Sequence, residues 1–224
     1  MSRIHDMGGR FGDGMIEVSQ DEPIYKKDWH RLALGLTVAS GACGHWNIDM
    51  SRRVRESLSP VDYTNFEYYM IWISAVADLL VEQHLVTVEE LQNPDDIMPQ
   101  SLEAGVLHCE NVEEVLARGA PTQRPIDKAP KYSIGQMVKT MAHSPARSPG
   151  GHTRLPRYAM GRLGTIVSHH QGHLLPDENA YGTPVVEHLY TVAFSAEQLW
   201  GAHAENKHDQ MLLDLWESYL EPVR

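Results

Sequence analysis

Cysteine is almost missing from this chain: Cys43 and Cys109 are the only two in 224 residues. Neither stands in a Cys-x-x-Cys spacing, which excludes a zinc ribbon or a disulfide framework and predicts a reducing compartment. Long apolar runs are missing too. No stretch approaches the ~18 residues of a spanning helix, and Met1-Ser2-Arg3-Ile4-His5-Asp6 holds no apolar leader core, so a cytoplasmic chain without a membrane segment is expected. Basic residues are few, 19 against 30 acidic ones for a net charge of −11. That sign excludes a general nucleic-acid binder, because a phosphate backbone needs an opposite field. Serine elbows, phosphate-binding loops and dinucleotide fingerprints are absent as well.

One further absence is local. Between Lys131 and Pro176 there are six Lys or Arg residues and no Asp or Glu. Inside this stretch Gly151-His152-Thr153-Arg154-Leu155-Pro156-Arg157 forms a loop bounded by Gly and Pro. An acidic protein that keeps arginines clear of carboxylates has set them aside for an anion, unless they are simply solvated.

What is present divides the chain at about residue 120. The first ~30 residues, rich in Gly, Asp and Pro, predict an extended arm. Helical spacing follows: Trp29, Leu32, Ala33, Leu36 and Ala39 after Asp28 as N-cap, ending at Gly41. Asn47 or Asp49 caps a short helix through Glu56, and Ser59-Pro60 opens another. After Asn65, Phe66, Tyr69, Met70, Ile73, Val76, Ala77 and Leu80 form one apolar stripe and Tyr68, Trp72 and Leu79 a second, so this helix is buried on two sides or meets a partner. Thr87 and Asn111 each begin a capping-box pattern, and Gly119 closes the latter helix. Residues 1–120 thus read as arm plus helical domain, 121–130 as a proline-rich linker, and 131–224 as a domain of short antiparallel strands forming a small barrel. The strands are placed at 136–139, 163–167, 189–194 and 211–216, with Ser195-Ala196-Glu197-Gln198 capping one turn that Gly201 ends.

The chemical candidates are sparse. Arg52, Arg53 and Arg55 share the short second helix, where Glu56 is the natural i,i+4 partner of Arg52. Tyr68 and Trp72, one turn apart, line either a pocket or a core. His169-His170-Gln171-Gly172-His173 is expected as a hairpin loop between strands, not as a metal site, because no carboxylate stands near to orient the imidazoles. Cys43, beside His45, is expected as a small buried side chain.

Several segments resemble the beta subunit of nitrile hydratase: Ile4-His5-Asp6-Met7-Gly8-Gly9, Asp21-Glu22-Pro23, Gly151-His152-Thr153-Arg154, Gly161-Arg162-Leu163-Gly164-Thr165-Ile166-Val167, the run Leu189 to Gly201, and Asp214 to Leu220. The resemblance implies an α+β fold ending in an SH3-like barrel. It also implies an obligate heterodimer with an alpha subunit, paired again as α2β2, that hydrates small nitriles to amides. Fe(III) or Co(III) would be held by oxidised cysteines of alpha and by no residue of this chain, and would polarise the nitrile for attack by water or sulfenate oxygen. Arg52 and Arg154 match the two arginines that hydrogen-bond the sulfenate and sulfinate oxygens. Tyr68 matches the residue that orients the substrate, and Trp72 and Ile48 match the pocket wall. Two other readings share part of the resemblance, a thiocyanate hydrolase subunit and a non-catalytic activator of alpha. The unbroken join through 120–130 speaks against the first and the full-length barrel half against the second.

Overall fold

The computed structural model describes residues 4–6, 23–93, 105–145 and 151–223. Most of the expected arm lies outside the described residues. The chain divides into two compact units, Gly14–Ala120 and Met1–Asp13 with Pro121–Arg224.

The first unit is helical. Helices α1 (Asp28–Ala42) and α2 (Ile48–Glu56) both pack on α4 (Tyr68–Glu82), with α3 (Pro60–Asn65), α5 (Val88–Gln92) and α6 (Val112–Arg118) around them. Asn47 caps α2 by accepting from the Asp49 and Met50 amides, Ser59 caps α3, and Thr87 with Glu90 forms the capping box of α5. Two expected caps fail. Lys27, not Asp28, precedes α1, and Asn111 already lies in a helical turn, where its side chain makes no cap bond. The inward face of α1 is His30, Ala33 and Thr37, leaving Leu32 and Leu36 exposed in place of the expected stripe. His30 takes this position with its ring against Trp29 and Tyr69 and its Nε2 reaching Glu67 at 3.3 Å. Of the most buried residues of α4, Val76 and Leu79 come from one expected stripe each and Ala75 from neither. Cys43 is only half-buried, its thiol donating to the Ala39 carbonyl at 3.4 Å.

The second unit is one antiparallel sheet in the order β4-β3-β2-β1-β5, from β1 (Met137–Thr140), β2 (Leu163–Leu174), β3 (Val186–Ser195), β4 (Gln210–Trp216) and β5 (Leu220–Pro222). Its core holds Val138, Leu155, Ile166, Tyr190, Val192, Phe194, Leu215 and Tyr219. The capping box at Ser195 and Gln198 opens α8 (Ala196–Trp200), as expected. A closed barrel is not formed among the described residues: β4 and β5 stand at opposite edges and do not pair. They are nevertheless joined by the single 3-10 turn Glu217–Tyr219, so the sheet rolls until its two edges meet at that corner.

The histidine run also differs from expectation. His169–His173 continue β2 instead of turning, and the chain reverses later, through α7 (Pro176–Asn179). Strand β2 absorbs one extra residue against β3 between Ile166 and Ser168 and another between His169 and Gly172, with Gln171 at φ 67°. Such bulges break the alternation by which a strand is recognised. The expected linker lies against the second. Its Arg124 amide donates to Gly172 O at 2.8 Å and its Thr122 carbonyl accepts from Leu174 at 3.0 Å, so residues 121–131 form a strap along β2. A Cβ on Gly172 would stand 2.5 Å from the Arg124 carbonyl, which leaves room for glycine alone.

Candidate functional site

Helix α2 carries three arginines, and each has a different partner. Arg52 Nη1 donates to Asp49 Oδ1 at 3.3 Å. Asp49 is buried, yet the Arg52 side chain keeps 40% of its exposure, so one side of the guanidinium is held and other donors remain available. The partner is thus Asp49 and not the expected Glu56, because helical side chains lean toward the N-terminus and a backward reach is the shorter one.

Arg53 and Arg55 stand about 200° apart around the helix and leave it on opposite sides. Between them Val54 packs on Ala75 and Leu79 at the middle of α4. Arg53 donates to Glu82 at 2.5 Å toward one end of α4, and the Arg55 guanidinium carbon sits 4.3 Å from the ring centre of Trp72 toward the other. Desolvation lowers the Arg55 pKa, the Tyr68 phenol opposes this, and the neighbouring Arg52 charge adds to it. Two guanidiniums and a phenol therefore share one electrostatic neighbourhood.

Tyr68 and Ile48 are the first residues of their helices and are 63% and 42% exposed. Exposure follows from position, since a first-turn side chain leans over no preceding turn of its own helix. Tyr68 contacts Trp72 with ring centres 5.3 Å apart, and Ile48 lies four residues before Arg52 on the same face. Glu67, at the N-cap of α4, gives its carboxylate to Lys27 and His30 instead of to the helix amides. The structure thus brings Tyr68, Trp72 and Arg55 into contact and sets Arg52, held by Asp49, one turn before Arg55 on α2.

Arg154 belongs to the other unit. Its loop is pinned by the buried His152 and Leu155 and by the Tyr219 hydroxyl, which accepts from Thr153 at 3.4 Å and from the Arg154 amide at 3.5 Å. That hydroxyl in turn donates to the buried Asp177. Burial pushes the Asp177 carboxyl up, against the bonds from Tyr219 and Thr153, and burial together with Asp177 pushes Tyr219 well up. Asp6 accepts from the Arg157 amide at 2.9 Å. A stretch without carboxylates in sequence is therefore not without them in space. Asp177 and Asp6 arrive from outside it, but they take a hydroxyl and a backbone amide. The exposed Arg154 guanidinium pairs with no described residue.

The histidines of β2 face separate partners, and His170 also lies 3.9 Å from Asp214 Oδ1. His169 Nε2 lies 3.0 Å from His188 Nδ1, His170 Nε2 2.7 Å from the Thr191 hydroxyl, and His173 Nδ1 3.0 Å from Thr122. Among the described residues no three His, Cys, Asp or Glu side chains converge as a ligand set. These residues do not fit a metal centre, and no chemical step is assigned to one held by them. No helix among the described residues is long and apolar enough to cross a membrane.

Two family profiles together account for nearly the whole chain: "Nitrile hydratase beta subunit, N-terminal" over residues 1–129 and "Nitrile hydratase beta subunit, C-terminal" over residues 121–222. The chain belongs to the nitrile hydratase beta subunit family. This beta subunit is 35% identical, over 100% of both chains, to the beta subunit of a low-molecular-weight cobalt-containing nitrile hydratase of Rhodococcus rhodochrous. It is 32% identical to the beta subunit of a cobalt-containing nitrile hydratase of Pseudonocardia thermophila, over 100% of this chain and 97% of that one. To a nitrile hydratase beta subunit of Pseudomonas putida it is 31% identical over 100% of both. A solved apo-form of the thiocyanate hydrolase of Thiobacillus thioparus covers 42% of this chain and 78% of its own at 26% identity; its TM-score of 0.38 is too low to bear on fold or function. As a beta subunit the chain is part of a hydro-lyase and implies an alpha-subunit partner.

Proposed function

We propose that this beta subunit completes a nitrile-hydrating site by presenting Arg52 and Arg154 to anionic oxygens of the alpha subunit and Tyr68 to the substrate. The carrying observation is that both arginines are anchored while their donors stay available: Arg52 is gripped on one side by buried Asp49, and Arg154 is fixed through its backbone by Tyr219. In this reading the oxygens belong to oxidised cysteines around Fe(III) or Co(III) on alpha. The two cobalt-containing relatives favour cobalt. Guanidinium forks suit such oxygens because they donate in pairs at fixed angles. Tyr68 orients the nitrile with its exposed hydroxyl, and Trp72 and Ile48 form part of the apolar wall beside it.

The same reading takes the assembly as α2β2 in the cytoplasm and the two compact units as two domains. It takes the rolled sheet as SH3-like; the three-residue corner between β4 and β5 supports this. The test is turnover of the alpha-beta complex with Arg52→Lys or Arg154→Lys. Loss of roughly ten- to a hundredfold in kcat/KM is expected, as for other groups that orient the ligands of a metal. Wild-type turnover by either variant would remove that arginine from the site.

A further inference from the structure

Arg55 is the one arginine of α2 that spends its guanidinium on a ring instead of a carboxylate. Its Nε is buried with no hydrogen-bond partner among the described residues, while Arg53 beside it donates to Glu82. A buried donor without an acceptor is costly, so the packing that keeps it must matter more than the bond it forgoes. What it packs on is Trp72, 4.3 Å away, and Trp72 touches Tyr68. The planar cation covers Trp72, and Tyr68 leans on the same residue from the exposed start of α4.

We propose that Arg55 is a positioning residue for the aromatic wall, setting through Trp72 and Tyr68 how bulky a nitrile this beta subunit accepts. The inference rests on Trp72 and Tyr68 bordering the substrate. Arg55 itself touches no reacting atom. An arginine serves here where lysine does not, because only a flat delocalised cation can lie on an indole and fill the width of the contact. A loosened Trp72 ring would leave a small nitrile unaffected and misplace a broad one, so the effect falls on KM and on selectivity.

The test compares the alpha-beta complex carrying Arg55→Lys, Arg55→Met or Trp72→Phe with acetonitrile and benzonitrile as substrates. A second measurement is the 19F spectrum of fluorotryptophan-labelled complex, in which the Trp72 signal is identified by its loss in Trp72→Phe. Both Arg55 variants are expected to change the benzonitrile-to-acetonitrile ratio of kcat/KM roughly three- to tenfold, mainly through KM, and to shift or broaden the Trp72 signal. If Trp72→Phe leaves the ratio unchanged, the reading of Trp72 as pocket wall fails, and this inference with it. If Trp72→Phe moves the ratio but neither Arg55 variant moves ratio or signal, the positioning role alone is overturned. Equal loss on both substrates with lowered thermal stability would make Arg55 a structural residue and overturn it as well.

Discussion

Asp49 decides how Arg52 can be used. A buried carboxylate under a half-exposed guanidinium fixes where the remaining donors point. Asp49→Asn keeps the shape and removes the charge, and it should lower kcat/KM of the complex by roughly tenfold, the worth of one charge-assisted hydrogen bond. Steady-state kinetics beside a thermal melt check this; unchanged kcat/KM would mean that Asp49 does not hold Arg52. Helical spacing set Tyr68 and Trp72 one turn apart, as their ring contact has it, whereas Arg52 stood out from the other arginines of α2 only through the family resemblance. The sequence did not reveal Asp49 as the partner, because i−3 and i+4 carboxylates look alike until the side-chain direction is known. It could not reveal the bond between Asp177 and Tyr219 either, since those residues are 42 positions apart and meet only when the sheet rolls.

At the level of elements, the strap over β2 is held by buried polar groups. The buried His188 Nε2 bonds the Lys128 carbonyl at 2.7 Å, and Glu217 accepts from the Lys131 amide and the Tyr190 hydroxyl, each at 2.9 Å. Burial, with His188 and His170, lowers the pKa of His169, and burial lowers that of His173. Burial pushes Glu217 up, but the Lys131 amide, Tyr190 and the Lys131 and Lys128 charges outweigh it and bring it down. All three pKa values are depressed by folding, so each contribution is present above the unfolded value and lost as pH falls through the folded one. The histidine share should fade below pH 6.5 and the Glu217 share below 4.5, in two stages. Exchange of the Arg124 and Leu174 amides, corrected for intrinsic rates, should rise in that order, and Glu217→Gln should abolish the lower stage. Gly172→Ala should destabilise the unit by about 1–3 kcal/mol, read from a denaturant melt, because the strap backbone must move to admit a methyl group. The regular strands were visible as alternation, whereas the far half of β2 was not, since two bulges interrupt it and its second lies against a strap that composition presents as linker.

For the whole molecule, an outward apolar face lies on α1, not on the helix α4 where the sequence suggested one. The leucines of α1 do not enter the core; Leu32 and Leu36, one turn apart, are 63% and 43% exposed. Burying one such leucine in an interface is worth about 1.5–3 kcal/mol. Leu36→Asp should therefore weaken assembly with alpha by roughly tenfold or more, while leaving the melting of the free chain nearly unchanged. Titration calorimetry and a thermal scan separate the two, and unaltered affinity would place the alpha subunit elsewhere. Composition could not say which apolar stripe faces outward, because His30 competes for the interior as well as a leucine does.

The strap also settles where this polypeptide tolerates interruption. A break between Gly119 and Pro121 would leave every bond of residues 121–131 to β2, His188 and Glu217 within one fragment. A break at 129–131, beside Pro130, would leave the Thr122, Arg124 and Lys128 bonds on the other piece. A C-terminal fragment starting at Pro121 should accordingly keep these bonds and one starting ten residues later should lose them, so thermal melts of the two fragments should show the longer one folding more stably.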